Sequence, residues 1–278
     1  MSISLTGLGG FGSWRGGEWA LRALLYENSA FAIHHLDVET DGVIAREQLR
    51  RWAGVKLEDN LLALDLERVK RDLELVPVIH SVSIERRLPH TLKIRATERE
   101  PIARFFYPRL RPGGLGERGV YLIDSQGMVM APLEPHQRAA PASINTDLLP
   151  VLIGIPPDEL RPGHRVESPQ VRGALHFIQE FERSAMAELT QIKEILLTNS
   201  GILLVTTSHG SELAFGFGDA SQQLRRWRAV HDYVQRAGKY VAWMDLSVSN
   251  NVPARFVDAT SLPPAPPKPT KPSRKRHV

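Results

Sequence analysis

The stretch IHSVSIERRLPHTLKIRATEREPIA, residues 79–103, determines how the first part of the chain folds. Its apolar side chains alternate with polar ones in two short runs, a period typical of half-buried strands. The alternating apolar residues are Val82, Ile84, Leu92, Ile94 and Ala96. Between the runs, Pro89 lacks an amide donor and suits a connection better than a central strand. The pattern therefore predicts a β-hairpin.

The residues upstream of this hairpin predict one strand and two helices. Phe31 to Val38 carries apolar residues in an imperfect alternation and fits an opening strand. Ile44 to Ala53 predicts a short helix that ends at Gly54. Asp65 is placed to cap a second helix, whose inward side carries Leu66, Val69 and Leu73. The predicted order is strand, helix, helix, strand, strand.

This order and these residues resemble a POTRA domain, and more narrowly that of the bacterial division family FtsQ/DivIB. The matching positions are Ile33 to Val38, Asn60, Leu61, Leu62, Asp65, Leu66, Val69, Leu73, Pro77, Arg86, Leu88, Pro89, Leu92, Glu98, Arg99, Pro101 and Ala103. Carboxylates Glu98 and Glu100 flank Arg99, which favours a structural ion pair over acid–base catalysis. The resemblance extends to Val257 and thus covers both predicted domains.

The remaining sequence predicts a second domain built mainly from strands. Strands are expected over residues 105–107, 120–124, 128–130, 149–154, 192–197, 202–207, 213–217, 241–246 and 254–257. Ser168 and Pro169 start one predicted helix, and Ala220 to Arg236 forms the other, with Trp227 in its core face. The fold class is therefore α+β, a POTRA domain followed by a mostly antiparallel β domain with two packed helices. The expected divisions are a flexible segment with a lead-in helix over 1–30, the POTRA domain over 31–100, the β domain over 101–258 and a disordered tail over 259–278.

Charge and composition exclude several classes of function. The chain has 278 residues, of which 35 are basic and 31 acidic. Five of the basic residues lie in the proline-rich segment 261–278, so the rest of the chain is close to neutral. A nucleic-acid-binding fold would carry its own basic face, so no nucleic-acid partner is expected. The absence of cysteine excludes disulfides, thiolate metal sites and a cysteine nucleophile.

Residue patterns for catalysis or metal binding are weak. His34, His35 and Asp37 form the best metal candidate, but consecutive strand residues face opposite sides and a third ligand is not evident. The chain contains no Gly-x-Ser-x-Gly elbow. We therefore expect no catalytic residue, no metal and no cofactor.

The resemblance implies a non-enzymatic assembly protein of the division machinery. In the family, the POTRA domain is associated with recruitment by upstream division proteins, and the β domain binds FtsB and FtsL. The implied location is the inner membrane at the septum, single-pass, with the folded part periplasmic. The family's membrane-spanning helix is missing from this sequence, and we expect an in-frame stretch of about 20 apolar residues upstream of Met1.

The family's partner-binding region corresponds to the end of the β domain. The matching residues are Val248, Val252, Arg255 and Phe256. Pro253 departs from the pattern, and its missing donor could face outward, which would weaken strand addition, or inward at a bulge. Because of Pro253, we expect side-chain contacts to carry more of the affinity than backbone pairing. In the alternative interpretation Phe256 closes the domain core.

Two other functions stay open at this point. One is a POTRA-type module of an outer-membrane assembly or secretion system, which further POTRA copies or a barrel would favour. The other is an unrecognised hydrolase, which a deep polar pocket containing a perturbed carboxylate or histidine would favour.

Overall fold

The computed structural model describes residues 29–109, 117–139 and 146–258. The predicted lead-in helix and the basic, proline-rich tail lie outside these residues. The chain divides into two compact units, Met1–Glu98 with Leu133–Pro141, and Arg99–Pro132 with Ala142–Val278.

The first unit has the strand and helix order that the sequence predicts. Its elements are β1 (His35–Thr40), α1 (Arg46–Ala53), α2 (Leu66–Glu74), β2 (Ile79–Arg87) and β3 (Thr91–Glu98). The sheet order is β1-β3-β2, with β1 parallel and β2 antiparallel to β3. This is the β-α-α-β-β arrangement of a POTRA domain.

Local sequence signals explain the two helices of this unit. The Asp65 carboxylate accepts a hydrogen bond from the Arg68 amide and caps α2. Gly54 ends α1 in the left-handed conformation, with φ of 63°. Leu49 of α1 and Val69 and Leu73 of α2 are buried, as predicted. They belong to one apolar core that also includes Leu92 and Ile94 of β3.

A buried carboxylate holds the loop between β1 and α1. Glu98 accepts hydrogen bonds from the Thr40 hydroxyl and from the amides of Val43 and Ile44. Its own amide donates to Asp41. A Cβ atom at Gly42 would collide with the Glu98 carboxylate, so glycine is required there. The Glu98 carboxylate thus stabilises the backbone of this loop. The sequence had predicted only an ion pair with Arg99 for it.

The second unit contains a single nine-stranded sheet. Its strands are β4 (Pro101–Arg109), β5 (Glu117–Asp124), β6 (Val129–Met130), β7 (Val151–Ile153), β8 (Ile192–Leu197), β9 (Ile202–Thr207), β10 (Glu212–Gly216), β11 (Lys239–Asp245) and β12 (Ala254–Asp258). They lie in the order β12-β11-β10-β9-β8-β7-β4-β5-β6. The sheet is mostly antiparallel, as predicted. The parallel pairs are β4–β7, β7–β8 and β10–β11.

Two helices, α3 (Pro169–Arg183) and α4 (Ala220–Arg236), pack on the apolar core of this sheet. The apolar side of α3 is buried at Val171, Ala174, Leu175, Ile178 and Phe181. Trp227 of α4 is buried between the rings of Phe181 and Phe215, which confirms its predicted core position. Consequently one face of the sheet and the apolar sides of both helices form the core of the unit.

An ion pair between two buried side chains fixes the start of this unit. The Arg99 guanidinium donates to Asp124 at 2.9 Å, and both side chains are at least nine-tenths buried. The other Asp124 oxygen accepts from the amides of Gln126 and Met128, which shapes the turn between β5 and β6. Arg99 thus forms a structural ion pair, but with Asp124, which the prediction from the flanking carboxylates did not name.

The segment that follows β6 returns to the first unit. Ala45 donates to the Gln137 carbonyl, Ala139 donates to the Val43 carbonyl, and Leu133 packs on the first core. The predicted β domain, residues 101–258, includes this segment. Its contacts with the first unit depend on tertiary pairing, which composition does not reveal.

Among the residues that the structure describes, no helix combines the length and apolar character needed to cross a membrane.

Candidate functional site

The two ends of the nine-stranded sheet differ in how their edges are covered. At one end, β6 is flanked by the loop 163–166: Val129 donates to the His164 carbonyl and Gly163 donates to the Val129 carbonyl. At the other end, β12 pairs with β11 and with no other described strand. The outer side of β12 therefore presents backbone donors and acceptors to an incoming chain.

The residues of β12 are largely exposed, although Ala254 packs against the core of the unit. Four of its five residues, Arg255 to Asp258, are exposed. Phe256 lies beside Val241 of β11 and is 46% exposed. With nearly half of its surface exposed, Phe256 does not belong to the buried core, which disfavours the alternative in which it closes the domain core.

Arg255 lies on the opposite face of β12 from Phe256, since successive strand residues alternate. Its guanidinium is 5.8 Å from the centre of the Trp243 ring, within the range of a cation–π contact. Trp243 is also the register partner of Glu212 on β10. Trp243 was not among the predicted site residues. Its position on a predicted strand, two residues before Asp245, could have indicated that it belongs to this surface.

The other two predicted residues precede β12 and differ from each other. Val248 is 37% exposed, and its carbonyl accepts a hydrogen bond from Arg226 of α4. Val252 is only half-buried and packs against the core of the unit. The structure thus brings Arg255 and Phe256 to the open edge, places Val248 on the preceding loop, and gives Val252 a packing contact.

The orientation of Pro253 follows from one hydrogen bond. The Asp245 amide donates to the Pro253 carbonyl at 3.0 Å, so this carbonyl faces β11. In an extended strand the amide and carbonyl of one residue point to the same side. The missing donor therefore faces inward, and the amides of Ala254 and Phe256 face outward. Of the two orientations left open for Pro253, the hydrogen bond agrees with the inward one, in which proline removes no donor from the open edge.

The histidine-containing stretch of β1 forms an ion-pair cluster. Lys93 of β3 contacts Asp37 at 3.2 Å and Glu39 at 2.8 Å, and Arg95 also bonds to Glu39. Hydrogen bonds from Lys93 and then Arg95 lower the pKa of Glu39 to about 2. The His34 ring stacks on His90, 4.2 Å between centres. Within the described residues no cluster of three metal-ligating side chains occurs.

Two other lowered carboxyl pKa values have similar causes. A hydrogen bond from Ser221 lowers the pKa of Glu180, and one from Arg228 lowers that of Asp232. A cavity of about 130 Å³ contains His209 and His231, and its lining includes no carboxylate. Neither Glu180 nor Asp232, the carboxyl groups with lowered pKa values, lines that cavity, so the cavity does not favour the hydrolase alternative.

Comparison with known families matches both units. Residues 31–99 match the POTRA domain of FtsQ type, and residues 115–247 match the C-terminal domain of cell division protein FtsQ/DivIB. The second match is to the FtsQ/DivIB domain and not to an outer-membrane assembly module. It ends immediately before Val248, so the four predicted site residues lie beyond it.

Individual relatives agree with these matches. The chain is 23% identical to a cell division protein FtsQ of Geotalea daltonii over 251 residues, 90% of this chain and 82% of that protein. It is 24% identical to the FtsQ protein of Syntrophotalea carbinolica, covering 82% of this chain and 75% of the relative. For the FtsQ protein of Myxococcus fulvus the identity is 27%, covering 77% and 66%. With both units matched in order, the chain belongs to the FtsQ/DivIB family of cell division proteins.

Proposed function

We propose that this protein is a non-enzymatic assembly factor of the division machinery, which bridges partner proteins by binding them. The β domain binds FtsB- and FtsL-type proteins at the open edge of β12, and the POTRA domain binds upstream recruiters. The observation that carries the proposal is an edge strand with four exposed residues, whose outer side pairs with no other described strand.

Strand addition supplies the affinity at this edge. The outward amides and carbonyls of Ala254 and Phe256 can form main-chain hydrogen bonds with an added strand. The exposed ring of Phe256 on one face and the guanidinium of Arg255 on the other provide side-chain recognition. Aromatic residues and arginine are the usual anchors of protein interfaces, so these two residues are expected to dominate specificity.

The location of the protein forms part of the same proposal. We assign it to the inner membrane at the septum, with a single-pass anchor and a periplasmic folded part, as in the family. Fractionation of cells that express the native gene tests this assignment. Recovery only in the soluble fraction would contradict it.

The binding proposal is tested with Phe256→Ala and Arg255→Glu. Each variant is measured for binding to the periplasmic segments of FtsB and FtsL and for its free energy of unfolding. We expect each change to weaken binding by about 2 kcal/mol, roughly 30-fold, with little loss of stability.

Tyr233→Ala is the matched control, because Tyr233 is an aromatic residue of α4 that is 74% exposed. This control should bind like the unmodified protein. If the two edge variants bind normally, or lose affinity only in proportion to lost stability, the β12 edge is not the partner site.

A further inference from the structure

A second surface of the β domain has the properties of an anion-binding cleft. It is open to solvent, has a volume of about 490 Å³, and lies between α3, the turn after β5 and the loop before α3. Its polar lining consists of Ser125, Gln126, Arg165, Arg172, His176 and Gln179. In the strand order, β5 and β6 stand at the opposite end of the sheet from β12. The cleft is therefore separate from the proposed partner edge.

The backbone around this cleft is well fixed. Asp124 accepts from the amides of Gln126 and Met128, which holds the turn. Val166 donates to the Gly127 carbonyl at 2.9 Å, and Met128 forms a bridge with Arg165. Opposite the turn, the exposed side of α3 carries lining residues at positions 172, 176 and 179. This spacing of four and then three residues places them on one side of a helix.

The two arginines of the cleft have no acidic partner among the described residues. Arg165 donates to the Gln126 side-chain oxygen at 3.1 Å, a neutral acceptor. The Arg172 guanidinium forms no hydrogen bond or ion pair within that part of the chain, and the cleft lining contains no acid. In contrast, Arg183 at the end of α3 pairs with Glu180 at 3.1 Å, and Arg228 of α4 pairs with Asp232. The cleft thus holds two positive charges that no acidic side chain in the described part of the chain neutralises.

We propose that this cleft binds an acidic peptide segment of a partner protein, distinct from the segment that adds to β12. Each guanidinium can hold a carboxylate with two parallel hydrogen bonds. The side chains of Ser125, Gln126 and Gln179 provide donors and acceptors that suit peptide groups. A concave site of this volume fits a few residues of an extended chain better than a flat membrane surface. The near-neutral charge of the chain outside its basic tail argues against nucleic acid.

The test uses a fluorescent ten-residue peptide of Asp, Glu and Gly, titrated with the whole chain and with variants. We expect measurable binding that weakens as salt is added, because exposed charge pairs are screened. Arg165→Gln combined with Arg172→Gln should weaken binding at least tenfold. Arg183→Gln removes one positive charge from α3 outside the cleft, the same change that Arg172→Gln makes inside it, and should change binding less than twofold.

Three results would overturn the proposal. They are equal binding by all variants, an equal loss with Arg183→Gln, and binding of inorganic phosphate at the cleft without binding of the peptide. The double variant should keep its thermal stability and its affinity for FtsB and FtsL segments, which separates this proposal from that for β12. Loss of FtsB and FtsL binding in the double variant would show that the cleft belongs to the first site and would overturn its independence.

Discussion

The two edges of the nine-stranded sheet show opposite treatments of the same physical problem. Strand β6 has two residues, and a loop saturates its outer backbone groups through hydrogen bonds of 2.9 and 3.0 Å to Val129. Strand β12 has five residues and stays unpaired on its outer side among the described strands. Unprotected edges invite aggregation, and proteins normally shield them. The open edge is what the proposed strand addition requires, and the covered edge would not allow it.

The largest predicted effect concerns the end of the sheet that the loop 163–166 covers, which we call the protected end. Asp124→Asn removes the charge that compensates the buried Arg99 guanidinium, while keeping a side chain of the same shape. Removing one partner of a buried ion pair typically costs 3–5 kcal/mol, so we expect a loss of about 4 kcal/mol in the free energy of unfolding. Urea denaturation of the purified protein measures this loss.

Asp147→Asn is the matched control for that experiment. Asp147 contacts Arg104 of the same sheet at 3.1 Å, but its side chain is 84% exposed. Surface pairs contribute about 0–1 kcal/mol, so this variant should unfold almost like the original protein. Equal losses in the two variants would show that the pair at the protected end has no special structural role.

A smaller effect is expected where the covering loop meets the turn after β5. Gly127 has φ of 84°, and a Cβ atom there would lie 3.0 Å from the Val166 carbonyl oxygen. Gly210 has φ of 83°, and a Cβ atom added there would meet no other atom within 4 Å. Gly210→Ala should therefore report backbone strain alone, about 1 kcal/mol, and Gly127→Ala about 1–2 kcal/mol more. Identical unfolding energies would mean that the loop adjusts without cost and covers the edge only loosely.

Much of the fold could be predicted because its signals are local. The Asp65 cap, the inward residues Val69 and Leu73, and the alternation around Leu92 each depend on a few neighbouring positions. The strand order of the large sheet could not be read in this way, since β4 and β7 are neighbours that the chain joins through distant segments. The same limit applies to Glu98, whose partners are 54 to 58 residues away.

The candidate site was predicted only in part, and for a related reason. The resemblance placed Arg255 and Phe256 in the partner region, and the exposure of Phe256 then required knowledge of its register partner. The pairing of β11 with β12 shifts between Val241 and Trp243, where β11 has one extra residue, so the alternation of β11 cannot be extended across residue 242. The side on which Pro253 lacks a donor depends on its pairing with β11, which local sequence does not give.

The smallest effect on stability is predicted for Ala254→Pro at the open edge. Comparing it with Arg255→Pro distinguishes the side of β12 that faces β11 from the side that faces solvent. The Pro253 carbonyl faces β11, so the Arg255 amide also faces β11 and the Ala254 amide faces outward. Arg255→Pro removes a ladder hydrogen bond and should cost about 1–3 kcal/mol in urea denaturation. Ala254→Pro removes no bond of the free protein and should cost less than about 0.5 kcal/mol.

An added partner strand would use the Ala254 amide, so Ala254→Pro should still weaken binding of FtsB and FtsL segments by about tenfold, the upper range for one hydrogen bond. If Ala254→Pro leaves that affinity unchanged while Phe256→Ala lowers it, the partner binds β12 through side chains without extending the sheet.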